Sequence, residues 1–169
     1  MSQQSFTSAA PRMVVGISDL AVTNSPNIFL TTYALGSCVG VLAFSRRLKA
    51  AGLLHAMLPR KRSGSQSDRP LMFVDTGMER LLKDLGEFGA SPANLSIALI
   101  GGASVNGANS FFRIGEDNVA AAKEFCMKHR LKIAYEDSGG KVNRTMHFRL
   151  SDFSLEIKKP QKLDKISLG

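Results

Sequence analysis

Tryptophan is absent from the 169-residue sequence, and tyrosine occurs only at Tyr33 and Tyr135. Modules that stack successive nucleic-acid bases interleave aromatic and basic side chains. No such interleaving occurs, so no nucleic-acid partner is expected. Cysteine occurs twice, at Cys38 and Cys126, too few for a disulfide framework. The opening residues, MSQQSFTSAAPR, lack the charged start and apolar run of a signal peptide. The thiols are therefore expected to be reduced and the chain cytoplasmic. No apolar run approaches the ~18 residues of a spanning helix, so no membrane insertion is expected. A phosphate-binding loop is also missing. Gly102-x-x-x-x-Gly107 is followed by Ala108-Asn109, without the lysine and hydroxyl that such a loop requires. Cys126-x-x-His129 lacks the further ligands of a zinc centre. No metal or organic cofactor is expected.

Acidic residues are in the minority, 14 against 22 basic, for a net charge of +8. The excess is local. Residues 1–69 carry eight basic and two acidic groups, net +6, and residues 158–169 carry four and one, net +3. Between them, residues 70–157 carry ten and eleven, net −1. Runs such as Arg60-Lys61-Arg62 read as solvated faces or as contacts for an anionic partner. An acidic protein surface fits this charge at least as well as nucleic acid.

The length suits a single domain with a sizeable core. Residues 1–11 read as a disordered N-terminal segment, 12–157 as the domain and 158–169 as a basic C-terminal tail. Residues 13–16 and 20–23 read as an opening hairpin, and 29–35 as a strand carrying Thr31 and Thr32. The polar, punctuated stretch 59–70 reads as a loop, either a rim for a site or a disordered insertion. Met78, Leu81, Leu82, Leu85 and Phe88 share one helical face, which predicts a helix over 73–88 with a capping box at Thr76-x-x-Glu79. A strand at 95–100 and a helix over 115–130 follow, with Asp117 or Asn118 near the helix start. Cys126 reads as a core hydrophobe. Residues 131–135 form another strand. Residues 145–150 and 153–157 alternate as a hairpin, with His147 on the face opposite Met146, Phe148 and Leu150. The fold class is α+β: antiparallel or mixed sheets built from hairpins, with about two helices on the sheet faces.

The most informative stretch is 31–59, TTYALGSCVGVLAFSRRLKAAGLLHAMLP. Two apolar runs, 39–44 and 50–57, flank the polar SRRLK and predict a hairpin. If Cys38 and His55 face each other across it, paired positions sum to 93. Directly opposed residues have Cβ atoms about 4.5–5.5 Å apart, so a thiol and an imidazole could meet as a nucleophile pair. Spacing alone fits a buried cysteine and a core histidine better than it fits a catalytic pair.

LGSCVGV followed by GLLHAMLP resembles the signature of the CheD family, the chemoreceptor glutamine deamidases of bacterial chemotaxis. FVDTGM, IALIGGA, RIGEDN and IAYEDSGG follow in the same order, and the resemblance spans about residues 14–157. It implies a cysteine nucleophile at Cys38, a histidine base at His55 and an upstream threonine at Thr32, with the adjacent Thr31 as the alternative. Gly36, Ser37 and Val39 then belong to the turn whose backbone N–H groups would bind an oxyanion. The implied reaction converts specific glutamines on cytoplasmic helices of chemoreceptors to glutamate through a thioester, releasing ammonia. A CheC-type phosphatase is an implied partner. The chain departs from the family pattern at Ala98, where a basic residue is usual, and at Asn143, where glycine is usual. Two competing classes are a non-catalytic chemotaxis adaptor with an idle thiol and a cysteine protease.

Overall fold

Two sheets and two helices are built from the residues that the computed structural model describes, 10–64, 68–104 and 113–169. The chain runs β1 (Arg12–Val14), β2 (Asp19–Thr23), β3 (Phe29–Leu35), β4 (Val39–Ser45), β5 (Ala50–Ala56), α1 (Val74–Gly86), β6 (Ser96–Gly101), α2 (Ile114–Lys128), β7 (Lys132–Ser138), β8 (Arg144–Arg149), β9 (Ser154–Lys159) and β10 (Lys162–Ser167). One sheet has the order β1-β3-β8-β9-β10, the other β2-β5-β4-β6-β7. All pairings are antiparallel except β1 with β3 and β6 with β7. The parallel β6–β7 pair is joined through α2, as a parallel connection requires.

Burial on both faces explains why β4 and β5 read as continuous apolar runs: every residue of both strands is buried. One face of their sheet, with Val41, Leu54, Ile97 and Leu99, packs on Met78, Leu81 and Leu85 of α1 and Ala122, Phe125 and Cys126 of α2. The other face, with Leu42, Phe44, Leu53 and Ile100, meets Leu30, Met146, Phe148, Leu155 and Ile157 of the partner sheet. The result is an α+β structure of three layers. Both helices cover one face of one sheet.

Four expectations need correction. Residues 13–16 and 20–23 do not pair with each other. β1 joins β3 and β2 joins β5, so the chain crosses between the sheets, with Ser18 at φ 58°. Residues 158–169 are not a tail. Lys158 and Lys159 end β9, and β10 pairs with β9 along its whole length. Ile166 packs on the inter-sheet core while Leu163, on the opposite face, is exposed, so a single inward apolar residue among lysines marks the strand. The expected capping box is not formed. The N-cap of α1 is Phe73, Thr76 lies inside the helix, and its hydroxyl donates to the Pro70 carbonyl at 2.5 Å. A 3-10 turn at Pro70–Met72 feeds directly into α1 and displaces the start. Finally, Phe153 belongs to the β8–β9 turn at φ 54° rather than to a strand. Residues 1–9, most of the segment expected to be disordered, lie outside the described residues, as do 65–67 of the polar loop.

Candidate active site

Adjacent threonines on β3 point to opposite faces, as the period of a strand demands. Thr31 faces outward, where its hydroxyl lies 2.9 Å from His147 Nδ1. Thr32 faces the inter-sheet layer, where its Oγ1 lies 2.7 Å from His55 Nδ1 and 2.6 Å from the Val15 carbonyl. Both Thr32 and His55 are fully buried. Of the two candidate threonines, Thr32 is therefore the one that reaches His55.

The hydrogen count at Thr32 sets the imidazole tautomer. A hydroxyl has one proton, and a carbonyl only accepts. The Thr32 proton goes to the Val15 carbonyl, so Oγ1 accepts the Nδ1–H of His55. Nε2 then carries the lone pair. It has no hydrogen-bond partner among the described residues. The crossing between β1 and β2 makes this possible, because it delivers the Val15 carbonyl to the back of Thr32. The backbone on both sides is tied in: the Val15 amide donates to the Thr31 carbonyl, and the Ser18 amide to that of His55.

Cys38 sits in the turn before β4, half-buried against the inter-sheet core. The hairpin register differs from the expected one. His55 pairs with Gly40, so paired positions sum to 95 rather than 93. A four-residue turn closes the hairpin between Ser45 and Ala50, with Lys49 at φ 50° and the Leu48 amide donating to Ser45 Oγ. A two-residue slip leaves side chains on the same face. Cys38, two positions before Gly40, is thus the diagonal neighbour of His55 on its own face. Such neighbours lie about 7–8 Å apart at the backbone, within reach of long side chains.

The Cys38 turn is held by its carbonyls. The Gly36 carbonyl accepts from the Ala103 amide and that of Cys38 from the Gly102 amide, each at 2.8 Å. The Ser37 carbonyl accepts from Asn118 Nδ2 of α2 at 2.9 Å. This close approach explains the glycines of GGA. Gly101 has φ 106°, and a Cβ there would stand 2.4 Å from the Cys38 carbonyl oxygen.

Burial dominates the electrostatics. Desolvation lowers the pKa of His55 to about 4, so the ring is neutral at pH 7. Desolvation pushes the Cys38 thiol up, while its own backbone N–H, directed at the sulfur, pulls it down. At rest the pair is a neutral thiol and a neutral imidazole.

Asn118 is the residue whose part in this site the sequence left unread. It is fully buried, and Nδ2 also donates to the Met57 carbonyl at 3.1 Å, two residues beyond His55. Its place in RIGEDN was the available signal, but the sequence showed it only as a helix start. Other expected residues lie elsewhere. Cys126 is buried in the helix-facing core, where desolvation raises its pKa to about 11. His129 stacks on Phe125 with ring centroids 4.0 Å apart. Asp75 Oδ1 accepts from the Lys61 and Thr76 amides and so anchors the loop after His55 to α1. Part of the basic excess lines a hollow of about 500 Å³ on the outer face of the β3 sheet, with Arg12, Arg144, Lys158 and Lys159. Among the described residues, no three His, Cys, Asp or Glu side chains converge to hold a metal. No helix among them is long and apolar enough to cross a membrane.

His55 Nε2 and the Cys38 thiol thus share one face of the hairpin, the two residue types that thiol chemistry would require. The comparisons with known proteins are more specific, and by them the chain belongs to the CheD family. The family model for CheD chemotactic sensory transduction matches residues 57–159. A relative from Thermococcus kodakarensis, named probable chemoreceptor glutamine deamidase CheD, is 40% identical over 147 residues, 86% of this chain and 91% of its own. A relative of the same name from Caldanaerobacter subterraneus is 42% identical over 147 residues, 85% of this chain and 90% of its own. Among solved structures, Neisseria meningitidis protein NMB0706, of family DUF152, matches with TM-score 0.50 at 12% identity. That match covers 77% of this chain and 64% of the other, and it bears on the fold alone.

Proposed function

We propose that this chain is a chemoreceptor glutamine deamidase, a protein-glutamine glutaminase that uses Cys38 as nucleophile, His55 as base and Thr32 to orient the base. The observation that carries the reading is the bond between Thr32 and His55, which leaves Nε2 as a buried base on the same face as Cys38. The names of the CheD relatives supply the substrate class.

As Cys38 Sγ attacks the side-chain carbonyl carbon of glutamine, His55 Nε2 takes the thiol proton. The Sγ–C bond forms and the carbonyl pair moves onto oxygen. Backbone N–H groups of the turn at Ser37, Cys38 and Val39 are the donors for this oxyanion, the Gly36 amide being taken by the Ala34 carbonyl. The C–N bond then breaks, and the imidazolium returns its proton to the departing nitrogen, which leaves as ammonia. Water adds to the thioester with the same base taking its proton. Collapse yields glutamate and regenerates the thiol. The imidazolium is costly in this buried setting, so it persists only while paired with the thiolate or oxyanion. Chemoreceptor cytoplasmic helices are the partner, a CheC-type phosphatase is a second, and the cytoplasm is where they meet.

The test is conversion of glutamine to glutamate in purified receptor cytoplasmic fragments, read as +1 Da by mass spectrometry with ammonia in parallel. Cys38→Ala should abolish conversion, since it removes the acyl acceptor. His55→Ala should fall by about 10²–10⁴-fold, and Thr32→Ala by less. Full activity in Cys38→Ala rules the reading out. A reactive Cys38 without conversion of any receptor glutamine moves the substrate elsewhere, and peptide release in place of ammonia makes the chain a protease.

A further inference from the structure

Three consecutive carbonyls of the Cys38 turn accept hydrogen bonds, but from different kinds of donor. Those of Gly36 and Cys38 are held by the backbone amides of Ala103 and Gly102, whereas that of Ser37 is held by the Asn118 side chain. In a planar trans peptide the carbonyl and the following N–H point in opposite directions. The peptide that places the Ser37 oxygen on Asn118 therefore turns the Cys38 N–H away from α2. That N–H belongs to the same residue as the sulfur, one carbon away from the Cβ that carries it. The side where the amide points is thus the side where an acyl group on Sγ would place its oxygen.

We infer that Asn118 is a positioning residue, one that locks the Ser37–Cys38 peptide so that the Cys38 N–H serves as an oxyanion donor. This rests on the acyl chemistry proposed above and adds a residue to it. The orientation of the amide is unambiguous, because Nδ2 meets two carbonyls, those of Ser37 and Met57, and carbonyls accept only from N–H. One side chain thus ties the thiol turn to the strand end that carries the base. Its Oδ1 is buried with no partner among the described residues. Retaining a primary amide there at that cost points to a need for its two donors, since an apolar side chain of similar size would fill the space without an orphaned acceptor.

Two reactions of the same sulfur separate this from general support of the fold. Acylation by p-nitrophenyl acetate forms the Sγ–C bond through an oxyanion and expels p-nitrophenolate, with the thiol proton passing to His55 Nε2. Alkylation by iodoacetamide displaces iodide at a saturated carbon and forms no oxyanion. In Asn118→Leu and Asn118→Ala, screened for folding by thermal melting, the acylation burst should slow by up to about 10²-fold, the scale of losing one oxyanion donor. Alkylation of Cys38 should stay within about three-fold. A parallel fall in both rates, or no change in either, overturns the inference. A measurement on the unaltered chain stands beside the variants. The Cys38 amide proton should move downfield when an aldehyde adds to Sγ as a hemithioacetal, and a stationary proton also overturns the inference. So does an unaltered chain that shows no Cys38-dependent burst. Receptor deamidation is not used in these assays, so an acylating thiol that leaves receptors unchanged removes the deamidase reading and spares this one.

Discussion

Thr32 Oγ1 bridges the Val15 carbonyl at 2.6 Å and His55 Nδ1 at 2.7 Å, and this single hydroxyl determines which imidazole nitrogen carries the lone pair. Thr32→Ser keeps the bridge and should keep activity within a few-fold. Thr32→Val keeps the shape and removes the acceptor. It orphans a buried N–H at about 1–3 kcal/mol, and the freed ring should lower kcat by about 10²-fold. Thr31→Val, on the opposite face, should leave kcat unchanged. Equal damage from Thr31→Val and Thr32→Val would show that strand packing, not the bridge, is being measured.

His55 makes stability depend on pH. Its folded pKa is lowered, from an ordinary 6.5 to about 4, so the unfolded chain binds the proton more readily. The contribution is present in full above pH 6.5 and is lost as pH falls toward 4. Its size is on the order of 3 kcal/mol. Denaturant midpoints measured between pH 7 and pH 4 should fall, and His55→Gln should flatten part of that fall. His147, lowered chiefly by desolvation and then by Arg12 and Lys158, has the same sign and accounts for a further share. A His55→Gln variant with the full pH dependence would contradict the neutral, buried imidazole.

The thiols should separate by exposure. Cys38 is half-buried, whereas Cys126 is buried with its pKa raised to about 11. Alkylation followed by peptide mapping should mark Cys38 first. Because burial raises the Cys38 thiol as well, its alkylation rate should keep climbing with pH beyond neutrality. A rate that levels off below pH 7 would indicate a resting thiolate–imidazolium pair and contradict the neutral pair derived above.

The C-terminal strand should matter for stability. β10 pairs with β9 throughout, Leu168 is buried, and Ile166 packs on the inter-sheet core. Truncation after Lys159 removes both apolar side chains, a loss of about 4 kcal/mol, or roughly 10 °C in Tm. It also leaves β9 as an unpaired edge, prone to association. Unchanged melting would mean that β10 contributes nothing to the fold in solution.

Local chemistry made much of this protein legible. The apolar runs around SRRLK announced β4 and β5, and the spacing of Met78, Leu81 and Leu85 announced α1. The alternation at Met146 and Phe148 set His147 on the outer face. These signals are periodic and complete within a few residues. The pairing of β1 with β3 and β2 with β5 left no such trace, because short apolar segments do not say which edge they join. The same holds for β10, whose two apolar residues are diluted by lysines.

The sequence by itself determined the hairpin that carries the thiol turn and the histidine strand end; the tertiary structure set its register two residues from direct opposition, a slip that keeps both on one face. It could not choose between Thr31 and Thr32, nor reveal Asn118. Those depended on contacts across 23, 17 and 81 positions of chain. The crossing between β1 and β2 brings the Val15 carbonyl to Thr32, and the packing of α2 brings Asn118 to Ser37. A hydrogen bond between residues so far apart exists only after two sheets and a helix have closed around it, so the tautomer of His55 is a property of the tertiary structure.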